Sequence, residues 1–589
     1  MGINSEKDFF EDGVHYKITS DDGSEVAVIS KGYGDSSYSG YIIIPEMVLH
    51  NGKKYIVQAI GAGAFRECKE LKSVVIPHYV TIIGERAFSQ SGLENIEIPE
   101  TVVSIKEEAF SDCKNLESFT IEIEYGSPAD YLNIGDGAFR GCSLKSVSIG
   151  AEKIGQRVFE GCKSLEYAEI YGTELGVKTF AGCENLKGVG LQDTIKCIKD
   201  RVFANCSKLK YIKVFHLPTT YEEMEAEARA EDCDDYEIRD EIKKREKERI
   251  NISNVEKIGT EAFMNCTSIT KVKAENLESI GARAFSGCTK LGRIELPLKL
   301  KKLGKGAFEK CPWLQNFRIP HGIKTLDGTF RDCTSLNFIY IPSNIEEIRP
   351  CTFSGVPLNT AIIGKGVKKI LTEAFDCFGL NRFTGYNTAT LEDVYCLSMT
   401  PPMCEYDECW EDVSKGYLNC YIRGNSSPDE DEYFRRLSYD LFFSNNYFFE
   451  KHTDIRLHVP KGTLEIYKNA EVWETFKVII DDAPDIIEGD KIETGSDYSI
   501  YVDIPEGQYW NGWEWEEPDC SIIVEGENIK IEAYDLKGDE LEFDDSDYDE
   551  EDGGQITIPI YLSGIYTVKV NDGKESKSFS IYVSLPSES

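Results

Sequence analysis

Ten of the nineteen cysteines stand three residues after a phenylalanine: Cys68, Cys113, Cys142, Cys162, Cys183, Cys206, Cys266, Cys288, Cys311 and Cys333. A thiolate is a nucleophile, a redox partner and a soft metal ligand, so thiols in one recurring frame could carry chemistry if neighbours met productively. Equivalent positions in stacked units lie about one strand spacing apart, roughly 4.8 Å. That separation suits a disulfide, but the side chains run parallel, which a disulfide does not accept. Ser91, Val356 and Phe378 fill the same place in other units. Packing tolerates such exchanges and metal ligation does not, so the column is expected to be small buried thiols filling a turn.

Other reactive groups are sparse. The histidines, His15, His50, His78, His216, His321, His452 and His458, are scattered, and no hydrolase, zinc-protease, phosphate-loop or dinucleotide motif accompanies them. Cys404 and Cys409, with Cys396 and Cys420 nearby, leave a disulfide, free thiols or a zinc site open. Asp545, Asp547 and Asp549 alternate as calcium ligands do, but Glu550 and Ile556 stand where an EF-hand needs Gly and Glu. A solvated acidic loop is expected there. The chain reads as non-enzymatic, with no metal and no cofactor.

The elements that position these residues follow from a period. A Phe, usually preceded by Ala, recurs thirteen times from Phe65 to Phe375, mostly at steps of 20 to 23 residues. Such a period marks a solenoid, whose units bury their apolar faces only against one another. In Leu336-Asn-Phe-Ile-Tyr-Ile-Pro342 the alternation is that of a short strand with one buried face, ended by a proline that cannot donate to a ladder. The recurring Phe is then a core spine. The Ile-Gly steps at Gly84, Gly155, Gly259, Gly281 and Gly304 are expected to turn the backbone where a side chain would obstruct it.

Four parts follow in order. Residues 1–55 alternate as strands, with Asn51-Gly52 as a turn signal, and read as an N-terminal β cap. Residues 56–385 are the solenoid, interrupted at about 217–252 by a charged stretch of helix formers, acidic first and basic later. Residues 386–482 read as a terminal coil and cap with an inserted excursion, closed by an amphipathic helix that turns Tyr467, Trp473 and Phe476 inward. Residues 484–589 carry five alternating runs, expected to build a β-sandwich of immunoglobulin-like character. The fold class is therefore mainly β.

Charge narrows the partners. The net charge is −38, and from Pro484 onward 28 Asp and Glu face 6 Lys, a balance of −22. Nucleic acid is disfavoured, since phosphate backbones bind clustered Lys and Arg. No apolar run reaches the length of a membrane-spanning helix. The start MGINSEKDFF has no export signal, so an exported protein would have lost its signal before Met1.

The frame Ile76-Pro77, Val80, Ile83-Gly84, Ala87-Phe88, Leu93, Ile96 and Ile98-Pro99, repeated with Ala109-Phe110, Cys113 and Leu116, resembles the BspA-type leucine-rich repeats. The resemblance covers roughly residues 40 to 385 and reaches about 480 through VPKGTLEIY. It implies a curved leucine-rich-repeat solenoid on an exported or surface protein of host-associated bacteria or protists. Some members bind host extracellular proteins or other cells.

Outward strand positions are the candidate contacts, because the period leaves them undetermined. Tyr211, Arg293, Arg318, Phe338, Tyr340 and Ile362 combine aromatic, apolar and Arg side chains where solvent is expected, the mixture of an interface hot spot. Cross-strand stacking explains the same residues equally well. The expected function is binding a protein or a glycan through the sheet face, outside the cytoplasm and as a monomer. The alternative is a carbohydrate-binding accessory protein that uses Trp510, Trp513 and Trp515 as a stacking platform, although aromatic residues are also ordinary sandwich core.

Overall fold

The computed structural model describes residues 8–30, 38–121, 132–215 except 152, 249–375 except 298, 316, 372 and 373, 391–405, and 455–487 except 471; beyond these it describes the strands within 491–583 and their immediate flanks. The chain divides into two compact units, Met1–Cys311 and Pro312–Ser589. Residues 217–248 of the charged stretch 217–252, the acidic loop at 545–549, Trp513, Cys409 and Cys420 lie outside the described residues.

In the first unit, Asp8–Glu11, Val14–Ile18 and Glu25–Ile29 form an antiparallel meander. Met47–His50 turns back on Lys53–Ile60 through Asn51 and Gly52, both at positive φ, as the Asn-Gly signal predicts. Lys53–Ile60 also runs parallel to the two-residue strand Ile82–Ile83, so the cap continues into the first coils. Each coil then repeats one circuit: a two-residue strand, a turn carrying the Phe, and a longer strand. The longer strands form a parallel seven-stranded sheet in the order Ser146–Gly150, Tyr167–Tyr171, Gly188–Gln192, Tyr211–Phe215, Arg249–Asn251, Lys271–Lys273, Arg293–Glu295. The residues Arg249–Asn251, read from composition as the end of a helical stretch, are a strand in this sheet. Their β-branched Ile250 pairs with Ile212 and Val272 on the buried side, which overrides local helix propensity.

Inside the coils the phenylalanines form one column. From Phe65 to Phe308 neighbouring rings are nearly parallel, for example 5.0 Å between centroids at Phe88–Phe110 and 5.7 Å at Phe180–Phe203. All ten are fully buried. The Phe carbonyl is used twice. It accepts the N–H of the Cys three residues on, as at Cys162 N to Phe159 O, 3.1 Å. It also accepts the thiol of the following coil, as at Cys183 Sγ to Phe159 O, 3.1 Å, and Cys206 Sγ to Phe180 O, 3.1 Å. The same contact recurs from Cys113 to Cys311. Burial pushes the Cys162 and Cys288 thiols up to about 12, so they remain protonated donors at neutral pH.

At the turn glycines the obstruction to a side chain is the backbone of the preceding coil. Gly84 and Gly304 do not lie in the left-handed region; a Cβ would come within 2.7 Å of Ala62 N at Gly84 and 2.3 Å of Ala282 N at Gly304. Close approach of successive backbones requires them. Positive φ falls instead two residues before and after the Phe, at Arg86 and Gln90 around Phe88 and at Glu108 and Asp112 around Phe110. Each non-glycine there costs about 1–2 kcal/mol. The strain is offset by coil-to-coil bonds, including Gln90 N to Ser111 O at 2.8 Å and Phe88 N to Ala109 O at 2.7 Å.

The second unit stacks Phe330, Phe353 and Phe375 in the same way. Its parallel sheet runs Phe338–Ile341, Thr360–Ile363, Asp393–Cys396, Arg456–Pro460, Val478–Ala483. The helix Leu464–Lys468 and the turn Trp473–Thr475 close the end: Tyr467 hydroxyl donates to Ser398 O at 2.8 Å and Trp473 Nε1 to Pro402 O at 2.9 Å. After Pro484, all five alternating runs are strands. They belong to two four-stranded sheets whose inward residues, among them Ile500, Ile522, Val524, Val568, Val570 and Ile581, share one apolar cluster.

A second cluster joins this terminal part to the sheet of the coils. Tyr340, Ile362, Tyr395 and Leu397 pack with Ile486 and Ile565, flanked by Phe338, Leu536 and Tyr582. The rings of Tyr340 and Tyr582 stack at 4.2 Å.

Two outcomes check this account. Phe159→Ala is expected to lower stability by about 3–5 kcal/mol in denaturant unfolding, because a cavity opens in a column that cannot collapse; a loss under about 1 kcal/mol would contradict the spine. Ile565→Asp places a charge against Tyr340 and Ile362 while leaving the inward face of its own strand intact. Hydroxyl-radical footprinting should then show several-fold greater oxidation of Tyr340, and unchanged protection would count against the seating.

Candidate functional site

The solvent face of the seven-stranded sheet is built in rows, because parallel strands in register place every second residue side by side. One row runs Tyr167, Gly188, Tyr211 through direct pairing. The pairing of Ile212 with Ile250 brings Arg249 beside Tyr211, and Lys271 and Arg293 follow. The next row runs Glu169, Gly190, Lys213, then Asn251, Lys273 and Glu295. The residues between them, Ala168, Val189, Ile212, Ile250 and Val272, are buried against the spine.

Gly188 and Gly190 shape this face. A Cβ on Gly188 would lie 2.0 Å from Tyr211 Cζ, so the Tyr211 ring rests over the bare backbone of the neighbouring strand. A Cβ on Gly190 would lie 3.2 Å from Phe215 Cε1. Phe215 meets Tyr171 at 5.0 Å. Tyr167 is 45% exposed, and Lys187 Nζ sits 5.7 Å from its ring centre. Burial and the Glu169 carboxylate push the Tyr171 hydroxyl up, and it donates to Glu169 Oε2 at 3.3 Å. The result is an aromatic floor with hydrogen-bonding edges, suited to stacking.

Of the residues singled out from sequence, Tyr211 stands in this row and is part-buried, and Arg293 ends it, pairing with Glu295 at 3.0 Å. Arg318, in the other unit, is part-buried between the buried Phe317 and Ile319. Phe338, Tyr340 and Ile362 do point away from their coils, but the expectation of solvent there is corrected: Ile362 is fully buried and Tyr340 3% exposed beneath the terminal strands. Their outward apolarity meets an intramolecular partner. Trp510 and Trp515 are paired in register on the antiparallel strands Tyr509–Trp510 and Trp515–Glu516. Gly188, Gly190, Tyr171 and Phe215 escaped the sequence reading. Their signal was two glycines at alternating positions of one strand, in GVGLQ.

A second polar constellation lies on the sheet of the other unit. His458, 8% exposed, has Nδ1 at 2.6 Å from Asp482 Oδ1 and Nε2 at 3.1 Å from Asp393 Oδ1, with the Tyr395 ring stacked on it at 4.2 Å. Burial alone would raise Asp393; the two bonds from Arg456, at 2.6 and 2.7 Å, and that of His458 outweigh it and hold the carboxyl low. No nucleophile stands beside this imidazole among the described contacts, and it reads as a clamp across three strands. Cys396 is buried, with its Sγ 3.1 Å from the Tyr467 hydroxyl oxygen. Among the described residues no group of three or more His, Cys, Asp or Glu is arranged to hold a metal.

Several crystal structures resemble the fold. A leucine rich cell surface protein from Faecalibacterium prausnitzii A2-165 is 21% identical, over 70% of this chain and 97% of that one, with a TM-score of 0.39. A leucine-rich repeat protein from Bacteroides ovatus is 25% identical, over 68% and 100%, with a TM-score of 0.38. The pneumococcal vaccine antigen PcpA is 14% identical, over 80% and 98%, with a TM-score of 0.38. No curated protein matches. The family profile for the BspA type leucine rich repeat region matches in 6 copies, over residues 53–166, 132–229 and 248–390. With its stacked Phe column and its parallel coils, the chain belongs to the BspA-type leucine-rich repeat family.

Proposed function

We propose that this chain is a non-enzymatic interaction protein, working outside the cytoplasm, that holds a protein or glycan partner on the solvent face of the parallel sheet in residues 146–295. The observation that carries this reading is the pair Gly188 and Gly190, which open a floor for Tyr211 and Phe215 where neighbouring coils carry side chains. Structural repetition does not require such a floor. Membership of a repeat family that presents extended surfaces supports an interaction role. Among the described residues no helix is long and apolar enough to cross a membrane.

A second reading uses the acidic terminal part as an immunoglobulin-like β-sandwich that recognises glycan through Trp510, Trp513 and Trp515. The register of Trp510 against Trp515 favours it, since cross-strand aromatics can offer one stacking surface. Truncation is a poor test, because removing residues after Asp482 would uncover Tyr340 and Ile362.

Arrays of extracellular proteins and of glycans, probed with the intact chain, Tyr211→Ala and Trp510→Ala with Trp515→Ala, separate the two. The first reading expects Tyr211→Ala to weaken the captured ligand by about 30-fold, a hot-spot loss of about 2 kcal/mol, with the melting temperature nearly unchanged. Binding that survives Tyr211→Ala and disappears with the tryptophans would transfer the function to the terminal part.

A further inference from the structure

We infer the class of ligand from the aromatic floor itself: Tyr167, Tyr171, Tyr211 and Phe215 take a neutral oligosaccharide, whose pyranose rings lie on the aromatic side chains and whose hydroxyls meet their polar edges. This rests on the sheet-face reading above and goes beyond it by naming the chemistry.

The outward positions of the four strands from Ser146–Gly150 to Tyr211–Phe215 hold serine, tyrosine, phenylalanine, glutamate, glutamine, lysine and glycine, and no aliphatic side chain. A protein partner draws its affinity from a desolvated apolar centre. Here the apolar surface is made of rings alone: Tyr167 is exposed, and Tyr171, Tyr211 and Phe215 are part-exposed. A ring face carries the negative part of the aromatic quadrupole and attracts the C–H face of a sugar. Gly188 makes room for this arrangement, since the Tyr211 ring occupies the space that a Cβ would take.

The edges of the floor supply what hydroxyls need. Burial, then the neighbouring Tyr167 and the Glu169 carboxylate, push the Tyr211 hydroxyl up, so it stays a protonated donor within the field of both groups. Among the described residues the hydroxyls of Tyr167 and Tyr211 have no hydrogen-bond partner. Glu169 Oε2 accepts the Tyr171 hydroxyl at 3.3 Å and Ser148 Oγ at 3.5 Å, which leaves Oε1 to accept from a ligand. Charge is balanced at the floor. Glu169 and Lys213 stand on either side of Gly190 in one row, and Lys187 Nζ pairs with Glu166 Oε2 at 2.7 Å. Such a surface offers a charged chain no net attraction, and it offers a neutral polyhydroxylated one both donors and acceptors.

Titration calorimetry and saturation-transfer NMR of the full-length protein with cellohexaose, mannohexaose and maltohexaose test this, with an oligogalacturonate as the charged counterpart. The expected result is binding of at least one neutral hexasaccharide, unchanged by added salt, with saturation reaching the C–H protons of one ring face. Gly188→Ala, whose Cβ displaces the Tyr211 ring, and Tyr211→Ala should each weaken it by about tenfold or more, and Tyr211→Phe, which keeps the ring, by less. Circular dichroism checks the variants; if Gly188→Ala fails to fold, the two Tyr211 variants decide. Absence of binding by all three neutral sugars, equal binding of the oligogalacturonate, or indifference to Tyr211→Ala overturns the inference. A protein captured on the arrays and lost in Tyr211→Ala, with no neutral sugar bound, would overturn it while leaving the sheet-face reading standing.

Discussion

From Phe88 to Cys311, each coil is held to the next by one shared acceptor, the carbonyl of the recurring phenylalanine. It takes the N–H that closes its own turn and the thiol of the coil that follows, while the ring above it stacks on the next ring at about 5 Å. From Cys113 to Cys311 the side chain at this position is small and buried, and a weak donor is an advantage. Ser91 meets the first condition and contacts Cys113 Sγ at 3.4 Å. Burial pushes the Cys162, Cys183, Cys206, Cys266 and Cys288 thiols up and keeps them protonated, so these residues, which first suggested chemistry, are held in their unreactive form.

This constraint divides the residues of a coil into two classes. Those facing the spine are dictated by stacking, and the left-handed turn positions by the bonds between coils. What remains free to vary is the outward half of each longer strand. In the second unit that freedom is spent on an internal partner, the terminal strands with Ile565 and Tyr582. In the first unit it produces a row with a glycine between two tyrosines, followed by three cations.

The period made the coils, the Phe column and the closing contacts of Tyr467 and Trp473 legible in the sequence, because each depends on spacing that repeats or on a short amphipathic helix. The turn glycines were legible as places where a side chain would obstruct the turn; that the obstruction is the backbone of the preceding coil needed the structure. Phe338, Tyr340 and Ile362 were legible as outward and apolar but not as covered: their partners come from the strands after Pro484, more than 120 residues further on, with no period linking the two. Gly188 and Gly190 gained meaning only from register, which placed them beside Tyr211 and Phe215.

The central claim is that the thiol column is a buried structural ladder. Peptide-mapped alkylation of the native protein at neutral pH, followed through a denaturant titration, tests it directly. The account predicts that Cys162, Cys183, Cys206, Cys266 and Cys288 stay unmodified until the coils unfold, and then react together. Rapid native labelling of any of these five, at the rate of an exposed thiol, would contradict it.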